Sequence, residues 1–364
     1  MIIEDGHGNL LAADADALVN TVNTVGIMGK GIALQFKRAY PANYRAYRSA
    51  CARGDVQLGR MFVFDTGLVG PRRYIINFPT KQHWRNPSRV HDIQAGLDDL
   101  VDVVAQHGIT SIAIPALGCG NGGLAWSDVR PAIEQACARM VAVRAIIFAP
   151  EGAPAPATMP NATPRPELTK QRALLLVAIS RYLDRARLQE VRNGASELEI
   201  QKLAYFLQLL GTPLRLGFNR GRYGPYAPAL SNVLDKLEGH YLVGYGDRSA
   251  SVSEFAPINP LPAGAKAAYE LLDQHPQYAD RVDALLDLVD GFETPYSLEL
   301  LATVHFAAEQ DPPTAQTTVI AERVAAWSLR KARMFTDRHV QIAAERLREH
   351  QLLPNQRCTV RADH

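Results

Sequence analysis

The spacing of hydrophobic residues changes character part-way along the chain. Before about residue 150, short apolar runs alternate with helical patterns. DALVNTVN (16–23), RMFVFDT (60–66), YIINFPT (74–80), SIAIPAL (111–117) and RAIIFAP (144–150) read as strands. Several are apolar nearly throughout, as strands covered on both faces are. Between the third and fourth runs, RVHDIQAGLDDLVDVVAQHG (89–108) repeats Val90, Ile93, Leu97, Leu100, Val101 and Val104 at three- and four-residue steps and ends on Gly108. That is an amphipathic helix with a glycine stop. A second helix, IALQFKRAY, is expected to stop at Pro41. DTGLVGPRRY, between the second and third runs, reads as a hairpin and predicts a mixed sheet. The region reads as a three-layer α/β domain.

EGAPAPATMPNATPRP (151–166) is rich in Pro and Ala and has no amphipathic period, which suits a semi-rigid spacer. Beyond it the pattern is mostly helical. LTKQRALLLVAISRYLDRARLQEV (168–191) is amphipathic, and SELEIQKLAYFLQLLG (196–211) opens with Ser196 and Glu199 at capping-box spacing and closes on Gly211. AKAAYELLDQH, YSLELLATVHFAAEQ and DRHVQIAAERLREHQLL continue in the same style, and no internal repeat is visible. The predicted organisation is an α/β domain over 1–152, a linker over 153–166 and a mostly α-helical domain over 167–364.

Composition sets limits on this picture. A chain of 364 residues suits two domains, and 47% hydrophobic with 21% charged residues is ordinary for globular proteins. The net charge is only +2, so any nucleic-acid contact must come from a local patch. Cys51, Cys119, Cys137 and Cys358 form no CxxC pair or Cys/His cluster, which suggests neither structural zinc nor a disulfide framework. MIIEDGHGNL lacks the basic start and apolar core of a secretory signal. No apolar run approaches the roughly 20 residues needed to span a bilayer. The expectation is a cytoplasmic protein with reduced thiols, no metal and no membrane partner.

The chemistry concentrates in two glycine-rich loops. NTVNTVGIMGKGIALQFK runs from a strand through Gly26, Gly29 and Gly31 into a helix. Glycine permits positive φ and close backbone approach, and free amides at a helix start attract phosphate. The spacing is neither GxGxxG nor GxxxxGK[ST]. IPALGCGNGGLAW carries Gly118, Gly120, Gly122 and Gly123, again between a strand and a helix. Either both loops are tight βα connections, or together they clamp one ligand, for which a diphosphate flanked by two sugars would suit.

These two loops, in order over roughly residues 1–150, strongly resemble a macrodomain. The resemblance implies ADP-ribose binding with no separate cofactor. It places Asn9 and Leu10 at the adenine end, where many macrodomains have an Asp in place of Asn9. Asn20 and Asn23 fall near the distal ribose. Gly26, Ile27, Met28, Gly29, Lys30, Gly31 and Ile32 form the first loop. Gly118, Cys119, Gly120, Asn121, Gly122, Gly123 and Leu124 form the second, with Thr80 on the same edge. Cys119 is explained by its loop, with no histidine nearby in sequence to support thiol chemistry.

Lys81, in NFPTKQHW, follows a strand on that edge. One branch of the macrodomains, similar to the human terminal ADP-ribose glycohydrolase, uses a lysine here against the anomeric carbon of the ribose. A neutral amine can attack that carbon if burial or nearby cations depress its pKa, and Lys30, His83 and Arg85 are the nearby candidates. That human enzyme also has an aspartate where this chain has Gly122. The lysine and both loops are closer to the DarG-type antitoxins of DarT–DarG systems. That resemblance implies removal of ADP-ribose from thymidine in single-stranded DNA. Alternatives are a non-catalytic ADP-ribose reader and a hydrolase of protein-linked ADP-ribose. HWRNPSR puts His83, Trp84 and Arg85 beside the lysine, and either these contact a single strand or Trp84 packs in the core.

In the C-terminal region, QKLAYFLQLLGTPLRLGFNRGRYGPYAP resembles the K-LYF…YGP pattern of helical domains attached to prokaryotic antitoxins. The resemblance implies a cognate DNA ADP-ribosyltransferase toxin as partner. Arg220, Arg222, Tyr223 and Tyr226 are either its contact patch or a folded turn with half-buried tyrosines.

Overall fold

In the computed structural model, which describes residues 2–189, 193–247 and 257–353, the five expected runs become five strands of one sheet, joined by a sixth from the N-terminus. The strands are β1 (Ile2–Gly6), β2 (Ala17–Asn23), β3 (Phe62–Asp65), β4 (Tyr74–Lys81), β5 (Ser111–Ile114) and β6 (Arg144–Phe148). Their order is β1-β6-β5-β2-β4-β3. β3 lies antiparallel to β4, and every other neighbouring pair is parallel, so the sheet is mixed. β1 escapes the sequence pattern because Glu4 and Asp5 interrupt it; parallel pairing with β6 holds it in place.

Four helices cover the sheet: α1 (Gly31–Ala39), α2 (Pro41–Arg53), α3 (Val90–Gln106) and α4 (Trp126–Ala138). Pro41 ends α1 as expected but also opens α2, where its missing N–H costs nothing. Alternation along β2 explains the three layers. Ala17 and Val19 join the core under α3 and α4, whereas Leu18 joins Leu10, Leu11, Phe36 and Phe148 on the opposite face. Burying each such leucine or phenylalanine stabilises the fold by about 1.5–3 kcal/mol.

Chain contacts divide the protein into two compact units, Met1–Arg165 with Gly246–Ala250, and Pro166–Tyr245 with Ser251–His364. In the first unit the Pro/Ala-rich segment forms a short 3-10 turn, Pro156–Thr158, and the Ala162 N–H donates to the carbonyl of Arg38. Gly246 and Asp247, remote in sequence, cluster with this unit as well.

The second unit is mostly helical. α5 (Lys170–Gln189) and α6 (Glu197–Leu209) are followed by a small hairpin of β7 (Asn219–Gly221) and β8 (Gly224–Tyr226). Then come α7 (Pro228–Leu237), the short pair β9 (Leu242–Val243) and β10 (Asn259–Pro260), and α8 (Pro262–Asp273). α9 (Gln277–Leu288), α10 (Pro295–Ala308), α11 (Thr317–Ala325), α12 (Leu329–Met334) and α13 (Asp337–Glu349) complete it. The Ser196–Glu199 capping box forms as the spacing predicts, with both reciprocal bonds present. One apolar cluster runs through this unit, separate from those of the first. Residues 190 and 191 of the expected first helix, and Cys358, lie outside the described residues. No described helix is long and apolar enough to cross a membrane.

Candidate active site

The site gathers at one edge of the sheet, where the parallel strands β2, β4 and β5 end. The first glycine loop follows β2 and the second follows β5, while β4 ends on Lys81. In register, Asn20 pairs with Asn77, and Asn23 pairs with Lys81. In open α/β sheets, ligands bind beyond the carboxyl ends of the strands.

Asn23 shapes the first loop. Its Nδ2 donates to the Ile27 carbonyl (2.6 Å), and its Oδ1 accepts from the N–H groups of Val25 and Ile27 (3.1 and 3.3 Å). From α2, the Tyr47 hydroxyl donates to the carbonyl of Asn23. Burial, with Cys51 beside it, pushes the Tyr47 phenol up, so it stays a donor. The outcome is a loop with Gly26 and Met28 buried and Ile27, Gly29 and Lys30 exposed. Gly26 has φ 81°, the left-handed region that favours glycine. Asn20 is fully enclosed. Its Nδ2 donates to Asn77 Oδ1 (2.9 Å), while its own Oδ1 is buried without a partner. Asn77 in turn donates to Asn43 Oδ1 (2.8 Å), so a buried asparagine ladder lies under the loop. Thr80 is buried too, its hydroxyl on the Val22 carbonyl (3.3 Å).

The helix start differs from the sequence picture of open amides. The Gly31 N–H donates to the Asp247 carbonyl (2.8 Å), and Gln35, one turn on, donates to the Asp247 carboxylate (2.7 Å). A lone N-cap at Lys30 offers no side-chain acceptor, and this carbonyl supplies one. Between β1 and β2, Asn9 caps the turn Leu10–Ala12 through the Leu11 N–H (3.0 Å) and donates to the Thr158 carbonyl (3.2 Å). Leu10 is core. Ile32 is half-buried and packs against the same cluster.

Lys81 reaches the second loop: its Nζ donates to the Asn121 carbonyl (2.7 Å). The lysine is half-buried and has no carboxylate partner among the described residues. Burial pulls its pKa below the ordinary lysine value. Burial is the cause, one of the two routes the sequence left open, rather than the cations Lys30, His83 and Arg85. Asn121 also meets the first loop, its Nδ2 lying 3.2 Å from where a Cβ on Gly31 would sit. Loop one, loop two and the lysine therefore converge on Asn121.

The second loop leaves no room at Gly122. A Cβ there would come within 2.3 Å of both the Gly118 carbonyl oxygen and Ser88 Oγ. The Ser88 N–H holds the Gly122 carbonyl (2.9 Å), and the Leu124 N–H holds that of Gly118 (3.1 Å). Gly120 and Gly123 face open space. Cys119 is half-buried, and burial, with Asp128 nearby, raises its pKa, so its thiol stays protonated. Trp84 is 44% exposed, which removes the core-packing alternative. The Arg85 guanidinium lies 4.5 Å from its ring centre and the His83 ring 5.2 Å away.

A Macro domain family model matches residues 19–133. The chain is 44% identical over 341 residues to the DNA ADP-ribosyl glycohydrolase of Thermus aquaticus, covering 94% of this chain and 91% of that protein. The chain belongs to the DNA ADP-ribosyl glycohydrolase family. The enzyme of that name from Mycobacterium tuberculosis is 43% identical over 95% of this chain and 99% of its own length. A DNA ADP-ribosyl transferase-DNA ADP-ribosyl glycohydrolase fusion protein of Thermosipho africanus is 35% identical over 34% of this chain and 36% of its own length.

For a glycohydrolase of this family, three residues of the site lay beyond sequence reasoning. Tyr47 and Asn43 belong to α2, hidden because Pro41 was read only as a stop. Ser88 sits in an exposed-looking Asn-Pro-Ser turn, yet it is buried with its hydroxyl unpaired. No periodic signal marks it; only the loop contact does. Among the described residues, no group of three or more His, Cys, Asp or Glu side chains is placed to hold a metal ion.

Proposed function

We propose that the protein removes ADP-ribose from thymidine in single-stranded DNA by cleaving the N-glycosidic bond, and that it is the cytoplasmic antitoxin of a DNA ADP-ribosyltransferase. The observation that carries this reading is Lys81, desolvated and without a carboxylate partner, held against the second glycine loop at the strand edge. The loops hold the diphosphate and distal ribose, which presents the anomeric carbon to Lys81. A lysine of lowered pKa holds more neutral amine at a given pH, and that amine has a lone pair for an electrophilic carbon. In a displacement the C1″–Nζ bond forms as the bond from C1″ to the base breaks. The proton shed by the alkylated Nζ goes to the departing base, the ribose ring opens at the C1″–O4″ bond to leave a C1″=Nζ Schiff base, and water adds to that carbon to release ADP-ribose and the free lysine. The names of the full-length relatives support DNA as the substrate. Trp84, framed by His83 and Arg85, offers an exposed aromatic face with cationic edges for a single strand. The fusion relative supports a transferase partner, for which the second unit is the binding element.

The test is hydrolysis of an oligonucleotide carrying one ADP-ribosylated thymidine, with an ADP-ribosylated glutamate peptide alongside. Release from DNA by native protein, lost in Lys81→Ala, is the expected result, and borohydride trapping separates a covalent adduct from an electrostatic role. Release from the peptide alone would replace the DNA reading with a protein-directed one. Tight ADP-ribose binding without release from either would make the protein a reader.

A further inference from the structure

The second unit carries a group of cations that glycoside chemistry does not use. Arg220, Arg222 and Arg330 line one cleft of about 350 Å³, together with Gly221, Trp327 and Ser328. The β7–β8 hairpin brings the first two, and α12 brings the third. Arg220 is braced by the carbonyls of Ala326 and Trp327 (3.0 and 2.7 Å). Arg330 grips both oxygens of Glu299 (2.5 and 3.1 Å). Arg222 makes no hydrogen bond or ion pair among the described residues and lies 5.4 Å from the centre of the Tyr223 ring.

Two more cations are fully enclosed close by. Lys331 donates to Glu299 Oε1 (2.8 Å) and to the Thr303 hydroxyl (3.0 Å). Lys202 donates to the Pro225 carbonyl in β8 (2.6 Å) and has no carboxylate within bonding reach. Burial, with Lys331 nearby, pulls Lys202 down to about 7. Arg330 and Lys331 thus share the one carboxylate of Glu299, while Arg220, Arg222 and Lys202 bond no carboxylate among the described residues. Two cations on one enclosed carboxylate, with the exposed guanidiniums of Arg220 and Arg222 beside them, leave a local cationic excess that attracts an anion.

We propose that this cleft is a phosphate-binding site taking a terminal phosphate, either of a free nucleotide or inorganic phosphate or of a DNA strand end. A phosphate monoester brings up to two negative charges, and its oxygens match guanidinium forks two at a time. Bases are not what the cleft reads. Arg220 already lies 4.9 Å from the centre of the Trp327 ring, and Arg330 lies 4.8 Å from that of Tyr223, so the aromatic faces are taken. Phosphate binding in this cleft does not depend on the reaction proposed for the first unit.

The full chain carries three tryptophans, of which Trp327 lies in the cleft and donates through its indole N–H to the Gly221 carbonyl (2.9 Å). In 5-fluorotryptophan-labelled protein saturated with ADP-ribose, each signal is assigned by Trp→Phe replacement. The titrants are inorganic phosphate, a 5′-phosphorylated oligothymidylate, the same strand without its phosphate, and oligoglutamate. The expected result is a saturable shift of the Trp327 signal with a phosphate probe. That binding weakens about tenfold or more in Arg222→Glu and persists in Arg222→Lys. Inorganic phosphate binding as well as the phosphorylated strand identifies the free source, and a preference for the strand identifies a DNA end. Arg222 is exposed and unbonded, so both variants keep the fold, which circular dichroism checks. No response to either phosphate probe overturns the proposal. So does an unchanged affinity in Arg222→Glu, an equal response to the unphosphorylated strand, or an equal response to oligoglutamate.

Discussion

The two units handle polar groups in opposite ways. At the strand ends of the first, the polar surface is mostly backbone: loop carbonyls and amides held in shape by Asn23 and Tyr47, with one half-buried lysine facing them. In the second, whole charges are enclosed. Glu299 is 2% exposed and Lys331 and Lys202 no more than 1%. Burial pushes the Glu299 carboxyl up, but the bonds and charges of Arg330 and Lys331 together outweigh it and leave it below the usual range. A site made of backbone loses function when one reactive side chain is cut, with little loss of stability. A core made of paired charges loses stability first.

Lys81→Ala is the strongest way to break that contrast. Hydrolysis should fall by at least about 10²–10⁴-fold, the contribution of one general acid or base, since a nucleophile is worth no less. The urea midpoint should stay put; a protein that instead unfolds would place Lys81 in the framework. Glu299→Gln reverses the pattern. It leaves Arg330 and Lys331 facing a neutral amide in an enclosed space, and about 3–5 kcal/mol of the second unit's stability should go. Urea titration followed by circular dichroism reads the loss, and an unchanged midpoint would mean that water reaches the cluster.

Acid should act on the second unit through His305. Burial pulls its pKa from 6.5 to about 4, while its Nδ1 sits 2.8 Å from the Tyr205 hydroxyl. The unfolded chain takes up a proton below pH 6.5, whereas the folded chain does so only near 4. Stability attributable to this residue is therefore intact above 6.5 and falls by about 3 kcal/mol as pH drops to 4. Comparing urea midpoints at pH 7.5 and 4.5 for native protein and His305→Gln isolates that share, and equal losses in both would remove it. The smallest effect belongs to Trp84→Ala. Loss of one stacking face should raise KM for the DNA substrate by about tenfold, at the low end of 1–3 kcal/mol per base, and leave ADP-ribose affinity alone. A parallel loss of ADP-ribose affinity would mean that Trp84 supports the loop instead.

The same contrast decides what a reader of the sequence can see. Strands β2 and β4–β6 and both glycine loops announce themselves, because buried parallel strands are continuous apolar runs and glycine is the residue such turns require. The lysine is visible because it terminates one of those runs. β1 and α2 were hidden by local composition: acidic residues inside a strand and a proline that both ends one helix and begins the next. The charge cluster is hidden for a deeper reason. Lys202, Glu299 and Lys331 lie on three helices nearly 130 residues apart at the extremes, and a lysine inside LEIQKLAYF reads as a solvated edge until the fold encloses it.

Gly122 carries a consequence for how this enzyme could change. With the Gly118 carbonyl on one side and Ser88 on the other, even a methyl group at that position has nowhere to go. Trimming Ser88 clears only one of the two obstacles, since the other is backbone. A lineage that began from this loop could not gain an acidic group there one codon at a time; every intermediate would first have to rebuild the turn. The loop's shape therefore fixes that position, and selection acting on this scaffold has room to vary the surroundings of Lys81 but not to place a carboxylate at Gly122.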